Sequence, residues 1–264
     1  MSKVKKSRGP KVIVALLMVY LFLPFVITGL YSLATNWSNT VLPEAYTLRF
    51  YKEMFTSARF WSAVGRSVGV SAVAVAAAVL VMTPVTFAIA AFTPRLENLM
   101  KGLTLLPYAI PGVINATALL STYGGTSIPM VAVLTGAYFV LILPLIYSGI
   151  NNAMHAIDIV PITEAARVLG ASTWTTFLKI IVPNIAPGIL VSTLLSFSTL
   201  FGEFVVANLL VGGSFETVQI YLYLVMKQTG HLSSAIVVIY VFILTVICAA
   251  LMKLSGGKRE KKAV

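Results

Sequence analysis

Charged residues are scarce in this chain: they make up 10% of its 264 residues, whereas 58% are hydrophobic and the mean hydropathy is +0.94. Soluble domains carry about a quarter charged residues, so this composition excludes a soluble fold and predicts an integral membrane protein. Acidic residues are especially few, with eight Asp and Glu against nineteen Lys and Arg and a net charge of +11. Basic residues that flank membrane spans on the cytoplasmic side explain this excess, so no nucleic-acid partner is expected.

Residues that could support catalysis or metal binding are also few. The single cysteine, Cys248, excludes a disulfide within the chain. The two histidines, His155 and His231, are predicted on opposite sides of the membrane, and no metal-ligand spacing is present. The sequence lacks the glycine-rich GxxxxGK[ST] pattern that cradles phosphates. No Ser-His-Asp set can be assembled, so neither catalytic residues nor a metal site is predicted.

Six apolar segments are long enough to cross a bilayer, which requires about 20 apolar residues. The predicted spans are residues 12–33, 63–91, 102–122, 128–150, 187–210 and 232–252. The first apolar run is too long for a signal peptide and lacks an evident small-residue cleavage site, so we expect a retained first helix. Residues 123–127 (YGGTS) predict the turn between the third and fourth spans. The chain is therefore predicted to be one all-α transmembrane domain over residues 1–264.

The distribution of basic residues predicts the orientation. With both termini in the cytoplasm, fourteen Lys and Arg lie inside: five in the N-terminal tail, two at 92–101, two at 151–183 and five in the C-terminal tail. Five lie outside, namely Arg49, Lys52, Arg59, Arg66 and Lys227. This bias predicts that residues 151–183 face the cytoplasm. Residues 34–60, with a short surface helix within 46–55, and residues 211–231 are then external loops.

Residues 164–183 form a polar, strongly patterned segment between two apolar ones. Glu164 to Leu169 predicts a short helix with its acidic residue at the positive end of the helix dipole. Gly170 follows where the chain must reverse, because glycine enters the left-handed region without steric cost. Ser172 or Thr173 then caps a second helix, and Pro183 is expected to end it.

This pattern resembles the EAA loop in the membrane subunits of ATP-binding-cassette (ABC) importers that depend on a solute-binding protein. The pattern reads Glu-Ala-Ala, three residues, Gly, nine residues, Ile, any residue, Leu-Pro. The matching positions are Glu164, Ala165, Ala166, Gly170, Ile180 and Pro183, while Val182 replaces the usual Leu. The resemblance implies a six-helix type I permease of the bacterial inner membrane, in which this loop docks on an ATPase.

The same resemblance implies the partners. Two ATPase subunits would bind ATP and Mg and hydrolyse the nucleotide, so this chain would be non-catalytic and carry no cofactor. A second permease, identical or homologous, would complete the solute pathway, and a solute-binding protein would deliver the solute outside.

Glu203 is the acidic residue predicted within a span, in the outer half of the fifth helix. A charge there is costly unless it faces a cavity or a partner, so one interpretation places Glu203 on the solute pathway, and the other places it, hydrated, at the outer interface. Asn208 and Asn115 are weaker pathway candidates, because polar groups in membranes also tie helices together. Arg167 is expected either to pair with Glu164 or to face the ATPase.

The run at 201–213 (FGEFVVANLLVGG) and the short length are most similar to the spermidine/putrescine branch of the family, and an acidic Glu203 suits a polycation. Branches for aminoethylphosphonate, ferric iron, thiamine, sulfate or molybdate share much of the pattern and remain alternatives. An ATP-independent channel or secondary transporter would explain six spans but needs no glycine-bent polar loop. A membrane enzyme would need clustered titratable residues at one depth.

Overall fold

A computed structural model of the chain describes residues 9–37 and 40–256. Most of the two predicted basic tails, from Lys3 to Arg8 and from Lys258 to Lys262, lies outside these residues. Within them the regular elements are helices, and one isolated antiparallel bridge joins Ala34 to Tyr46. The all-α prediction is therefore confirmed for the described residues.

Most helices follow one another with short connections, but residues 34–48 separate the first helix from the second. The helices are α1 (Gly9–Leu33), α2 (Arg49–Thr56), α3 (Ala58–Phe92), α4 (Glu97–Ala109), α5 (Gly112–Tyr123), α6 (Met130–Ala156), α7 (Ile159–Val168), α8 (Thr173–Thr175), α9 (Val182–Phe201), α10 (Val205–Leu210), α11 (Val218–Met226) and α12 (Gly230–Gly256). A π-helical stretch, Thr176–Ile181, joins α8 to α9 without a break. Turns of 3-10 helix occupy Pro94–Leu96 and Gly212–Phe215.

Five described helices are long and apolar enough to cross a membrane, and a bent pair, α4 and α5, gives the sixth. The predicted third span is therefore not one helix: α4 and α5 meet at an angle of 85°. Ile110 between them is extended, with φ −100° and ψ 123°, as favoured for the residue before a proline, where the helical region is sterically disfavoured. Pro111 has no amide hydrogen and so cannot continue the hydrogen-bonding pattern of α4. The predicted turn at 123–127 is confirmed.

Several other boundaries differ from expectation. α6 continues to Ala156, so the polar segment predicted from residue 151 begins as helix. The fifth span, predicted over 187–210, ends as α9 at Phe201 and is followed by the separate helix α10. The region 211–231, predicted as a loop, contains α11. The helix expected within 46–55 is present as α2.

The described residues form two compact units, one made of residues up to Phe60 with Leu222–Ile243, and the other made of Trp61–Tyr221 with residues from Leu244 onward. In the first unit, His231 stacks on the rings of Tyr31 and Phe50, with centroids 4.2 and 5.3 Å away. The Ser32 hydroxyl lies 2.6 Å from that of Tyr51. These contacts join the ends of α1 and α12 to α2.

In the second unit, α6 and α9 cross at small residues. A Cβ added at Gly188 would lie 2.4 Å from the Cβ of Ala153, and one at Gly149 would lie 2.4 Å from that of Ser192. Small residues let helix backbones approach closely in lipid, where dispersion replaces the hydrophobic effect as the driving force. This crossing holds together the two helices that flank the patterned polar segment.

Candidate functional site

The patterned segment folds as a helix, a glycine bend and a second helix. Gly170 has φ +78°, the left-handed conformation predicted for it. Its amide donates to the carbonyl of Arg167 at 2.9 Å, and the Ala171 amide donates to that of Ala166 at 2.9 Å. Ser172 is the N-cap of the second helix, where its hydroxyl accepts from the Thr175 amide at 3.2 Å. The bend is thus closed by hydrogen bonds on both sides.

The first helix begins earlier than predicted. α7 starts at Ile159, after Asp158 with φ +49°, so Glu164 lies in the middle of the helix and not at its positive end. Glu164 is exposed, whereas Thr163 and Ala166 are buried. The expected interaction of Glu164 with the helix dipole is therefore wrong.

Pro183 does not end the second helix, which continues through α9 to Phe201. The π-helical stretch before it explains why. The Val182 amide bonds five residues back, to Phe177, and this wider turn shifts the hydrogen-bond register just before a residue that has no amide hydrogen. The carbonyl of Ile180 accepts instead from the Asn184 side chain at 2.7 Å.

Large apolar side chains around the bend are exposed. Val168 is 88% exposed, Leu169 85% and Trp174 67%. An exposed apolar cluster of this kind marks an interaction surface. Of the six positions that match the family pattern, four are exposed (Glu164, Ala165, Gly170 and Pro183), Ile180 is half-buried and Ala166 is buried.

Aromatic contacts fix this segment to the end of α3. The Phe87 and Phe177 rings lie 5.0 Å apart, and Trp174 meets Phe177 edge-on at 5.9 Å. The Arg167 guanidinium lies 5.8 Å from the centroid of Phe92. Of the two expectations for Arg167, the pair with Glu164 does not form; the guanidinium packs on Phe92 through a cation–π contact.

Sequence reasoning missed a polar cluster between the start of α4 and the C-terminal end of α6, on the side of the second unit that carries the bend. The Glu97 carboxylate accepts from the Asn151 amide at 3.0 Å and lies 2.6 Å from the Lys101 ammonium. The His155 ring nitrogen Nε2 is 3.6 Å from it. The spacing of Tyr147, Asn151 and His155 at every fourth residue is a signal visible in the sequence, but the involvement of Glu97 depends on packing across some fifty residues.

Glu203 lies in the break between α9 and α10 and not inside a helix, which corrects the prediction. Its carboxylate accepts from the backbone amides of Val206 and Ala207, at 2.7 and 3.0 Å. The Tyr138 hydroxyl donates to the same carboxylate at 3.1 Å. The half-buried carboxylate therefore satisfies two backbone amides at the start of α10, and the Tyr138 hydroxyl fixes it against α6.

Asn115 lines two neighbouring cavities. One, of about 230 Å³, also borders Tyr108, Pro111 and Tyr138. The other, of about 410 Å³, lies between α5 and α6. Tyr138 lines the first cavity together with Asn115, and its hydroxyl bonds to Glu203. The structure therefore places Glu203 one side chain away from the cavity that Asn115 lines. Asn208 lies half-buried in α10.

Comparisons with known proteins agree with this architecture. The sequence profile described as "Binding-protein-dependent transport system inner membrane component" matches residues 83–259. The chain is 26% identical over 235 residues to the spermidine/putrescine transport system permease protein PotB of Haemophilus influenzae, covering 80% of each protein. It is 36% identical over 109 residues to the molybdenum transport system permease protein ModB of Escherichia coli, covering 39% of this chain and 45% of ModB.

A solved structure shares the fold. A chain from the crystal structure of a bacterial ABC transporter involved in the import of the acidic polysaccharide alginate superposes with a TM-score of 0.72 at 14% sequence identity, over 96% of this chain and 99% of that one. The chain has the all-α fold of type I importer permeases, as the resemblance implied. It belongs to the family of inner membrane components of binding-protein-dependent transport systems, and it is a multi-pass ABC importer permease of the bacterial inner membrane.

Proposed function

We propose that this permease forms the solute pathway of an importer whose ATPase docks on the bend at residues 164–183, and that its solute is a polyamine. The exposed apolar cluster of Val168, Leu169 and Trp174 supports the docking surface. Two ATPase subunits hydrolyse ATP with Mg, a second permease completes the pathway, and a solute-binding protein delivers the solute. Both termini and the bend face the cytoplasm. The chain itself is non-catalytic and holds no cofactor.

In this mechanism the ATPase biases an equilibrium between two conformations of the permease, and the bend transmits the bias. The positions that match the family pattern form and orient that bend. Gly170 is the one whose backbone conformation depends on its residue type, because φ +78° is strained for most side chains.

The coupling proposal is tested at Gly170. No atom lies within 4 Å of a Cβ added there, so Gly170→Val acts through backbone strain and not through a collision. We expect normal membrane abundance but loss of both uptake and solute-stimulated ATP hydrolysis. Gly170→Asn is the matched control, because asparagine tolerates left-handed geometry, and it should keep most activity.

Wild-type uptake by Gly170→Val would contradict the proposed role of the bend. Uptake that persists without any ATPase would instead indicate a channel or a secondary transporter.

The proposal of a cationic solute rests on the charge around the cavities. No Asp, Glu, Lys or Arg lies between Lys101 and Asp158, and between Lys179 and Lys227 the charged residues are Glu203 and Glu216. The carboxylate next to Tyr138 therefore gives the neighbouring cavity a negative potential, which attracts cations and repels oxyanions. Similarity to PotB proteins over 76–80% of the chain favours the same class.

An oxyanion is the second candidate, because ModB proteins match shorter parts of the chain at higher identity. Glu203→Gln separates the two candidates. For a polyamine, losing an attraction of about 1–3 kcal/mol lowers affinity roughly 5- to 150-fold, whereas molybdate uptake would be unchanged or improved. Tyr138→Phe is the matched control, because it removes a hydrogen bond to the carboxylate but keeps the charge. The assay is uptake of labelled spermidine and molybdate at equal membrane abundance.

If Glu203→Gln lowers only abundance and leaves uptake per transporter unchanged for both solutes, Glu203 is a structural cap of α10 and not a pathway residue.

A further inference from the structure

One face of α6 contacts a single residue at the start of α4. The Tyr147 hydroxyl donates to the backbone carbonyl of Glu97 at 3.3 Å, and the Asn151 amide donates to its carboxylate at 3.0 Å. One turn further, His155 Nε2 lies 3.6 Å from the same carboxylate, while His155 Nδ1 bonds to the Asn151 carbonyl at 2.9 Å. The spacing of four residues puts all three side chains on one helix face.

The contact is buried at its centre. Tyr147 is 0% and Asn151 3% exposed, and 21% of the Glu97 side chain is exposed. Hydrogen bonds to a carboxylate are about twice as strong as neutral ones, and the buried Asn151 shields its side of this bond from water, whereas 58% of the His155 side chain is exposed. Asn151 Oδ1 is buried and has no hydrogen-bond partner within the described chain. The cluster therefore combines a charge-assisted bond with a buried acceptor, Asn151 Oδ1, that is left unsatisfied in this conformation.

The two ends of this contact lead to different parts of the molecule. His155 lies just before α7, which begins at Ile159 and carries the exposed bend. Glu97 begins α4, which ends at the 85° break before α5. Asn115 on α5 lines both cavities. A displacement at the base of α7 thus reaches the broken span through the contact with Glu97.

We propose that Glu97 is a positioning residue that makes the broken span α4–α5 follow the movement of α7. The inference rests on the proposed docking of an ATPase on the bend. Rigid helices transmit displacement where a joint holds them in register, and here the joint is a charge-assisted bond between α4 and α6. Glu97 itself contacts neither solute nor nucleotide.

The test uses the assembled transporter with its ATPases and its solute-binding protein. Glu97→Ala removes the side-chain bonds to Asn151 and His155. Lys101→Met is the matched control, because it removes only the ion pair within α4. We expect Glu97→Ala to lower spermidine uptake per transporter about tenfold, equivalent to about 1.4 kcal/mol, with ATP hydrolysis largely retained. Lys101→Met should behave as wild type.

Two spin-label pairs in a Cys248→Ala background separate this inference from the coupling proposal. Labels at Val160 and Val191 report α7 relative to α9, and labels at Ile114 and Leu195 report α5 relative to α9. All four residues are at least 39% exposed. In the wild type both distances should change when ATP is trapped. In Glu97→Ala, the change at 160–191 should persist and the change at 114–195 should be lost.

Exchanging the bond polarity adds a readout that a purely structural role would not move. Asn151→Asp places two carboxylates face to face, so we expect the movement of α4–α5 to be uncoupled from that of α7 and uptake to fall. We expect the same loss of coupling in Glu97→Gln. The double variant restores an amide–carboxylate bond and should recover uptake to within about threefold, because the two effects are coupled and not additive. Additive losses, or a Glu97→Ala transporter that keeps both distance changes and its uptake, would overturn the inference. A wild type with no change at 160–191 would overturn the coupling proposal, and this inference with it.

Discussion

The crossing of α6 and α9 allows a quantitative test of the packing. In Gly188→Ala the new Cβ lies 2.4 Å from the Cβ of Ala153, which is 1.0 Å short of the 3.4 Å at which ordinary contacts begin. The Gly149 carbonyl oxygen lies 3.3 Å from the same Cβ, so the new methyl group cannot move towards it to relieve the clash. Neither neighbour is a flexible side chain, so the helices themselves must separate by about an ångström.

Two opposing effects set the magnitude. Alanine is favoured over glycine in a helix interior by about 1 kcal/mol, whereas overpacking a tight contact costs about 1–3 kcal/mol. Separating two long helices by an ångström weakens dispersion along their whole interface, which places the cost at the upper end of that range. We therefore expect Gly188→Ala to lower the free energy of unfolding by about 1–2 kcal/mol.

Two further variants isolate the collision. Gly136→Ala, in α6, meets no atom within 4 Å and gains the helix propensity without the clash, so it should be neutral or stabilising. Gly188→Ala combined with Ala153→Gly exchanges the two residues across the crossing. Since the propensity terms cancel and the opposing Cβ is gone, the double variant should return to within about 1 kcal/mol of the wild type.

The measurement is detergent-denaturant unfolding of the purified subunit, followed by circular dichroism, with the thermal midpoint of the assembled transporter as a second readout. If Gly188→Ala is as stable as Gly136→Ala, the helices do not approach as closely as the structure indicates. If the exchange variant is no more stable than Gly188→Ala alone, the destabilisation arises from something other than Ala153.

Two other predictions concern the topology and the bend. In a Cys248→Ala background, single cysteines at the exposed Ser127 and Ser214 should react with an impermeant thiol reagent added outside, and one at the exposed Ser172 should not; external labelling at Ser172 would reverse the orientation. Ser172→Ala removes the acceptor of the Thr175 amide, so we expect a local loss of about 1 kcal/mol and roughly fivefold faster hydrogen exchange at Thr175. Ser172→Asp keeps a cap and should exchange as the wild type does, and equal exchange in Ser172→Ala would show that the cap contributes nothing.

Features with a local cause could be predicted from the sequence. The long apolar runs predicted α1, α6 and α12, because a span is recognised by its own composition. The left-handed Gly170 followed from one residue type in one helix-ending context. The cap at Ser172 was one of two adjacent candidates, and the structure selects it.

Features that depend on neighbouring helices could not be predicted. A proline usually ends a helix, because it has no amide hydrogen to donate. Before Pro183 the π-helical stretch shifts the hydrogen-bond register so that the helix continues, and no residue pattern indicated that shift. No pattern in the sequence singled out Glu97, because its partners lie on α6 some fifty residues away. The small residues of α6 and α9 were visible, but which of them meet was not.

The two broken helices show how tertiary context converts an apolar run into a polar site. The break before Pro111 and the break at Glu203 each interrupt a run that is apolar enough to read as one continuous span. In lipid, backbone groups at a break must be satisfied by protein or face a cavity. Glu203 supplies that for α10 by accepting from Val206 and Ala207, and Tyr138 on α6 supports the carboxylate from the other side.

Pro111 and Val206 then line the same 230 Å³ cavity, and a Cβ at Gly112 would lie 4.0 Å from Val206. The breaks therefore meet each other through α5 and α10, where each provides part of the protein environment that the other requires. A variant that straightens one break should expose the unsatisfied groups of the other. On this argument the cavity between them is a consequence of pairing two helix interruptions, and Tyr138, which lines that cavity, also donates to the carboxylate that stabilises one of them.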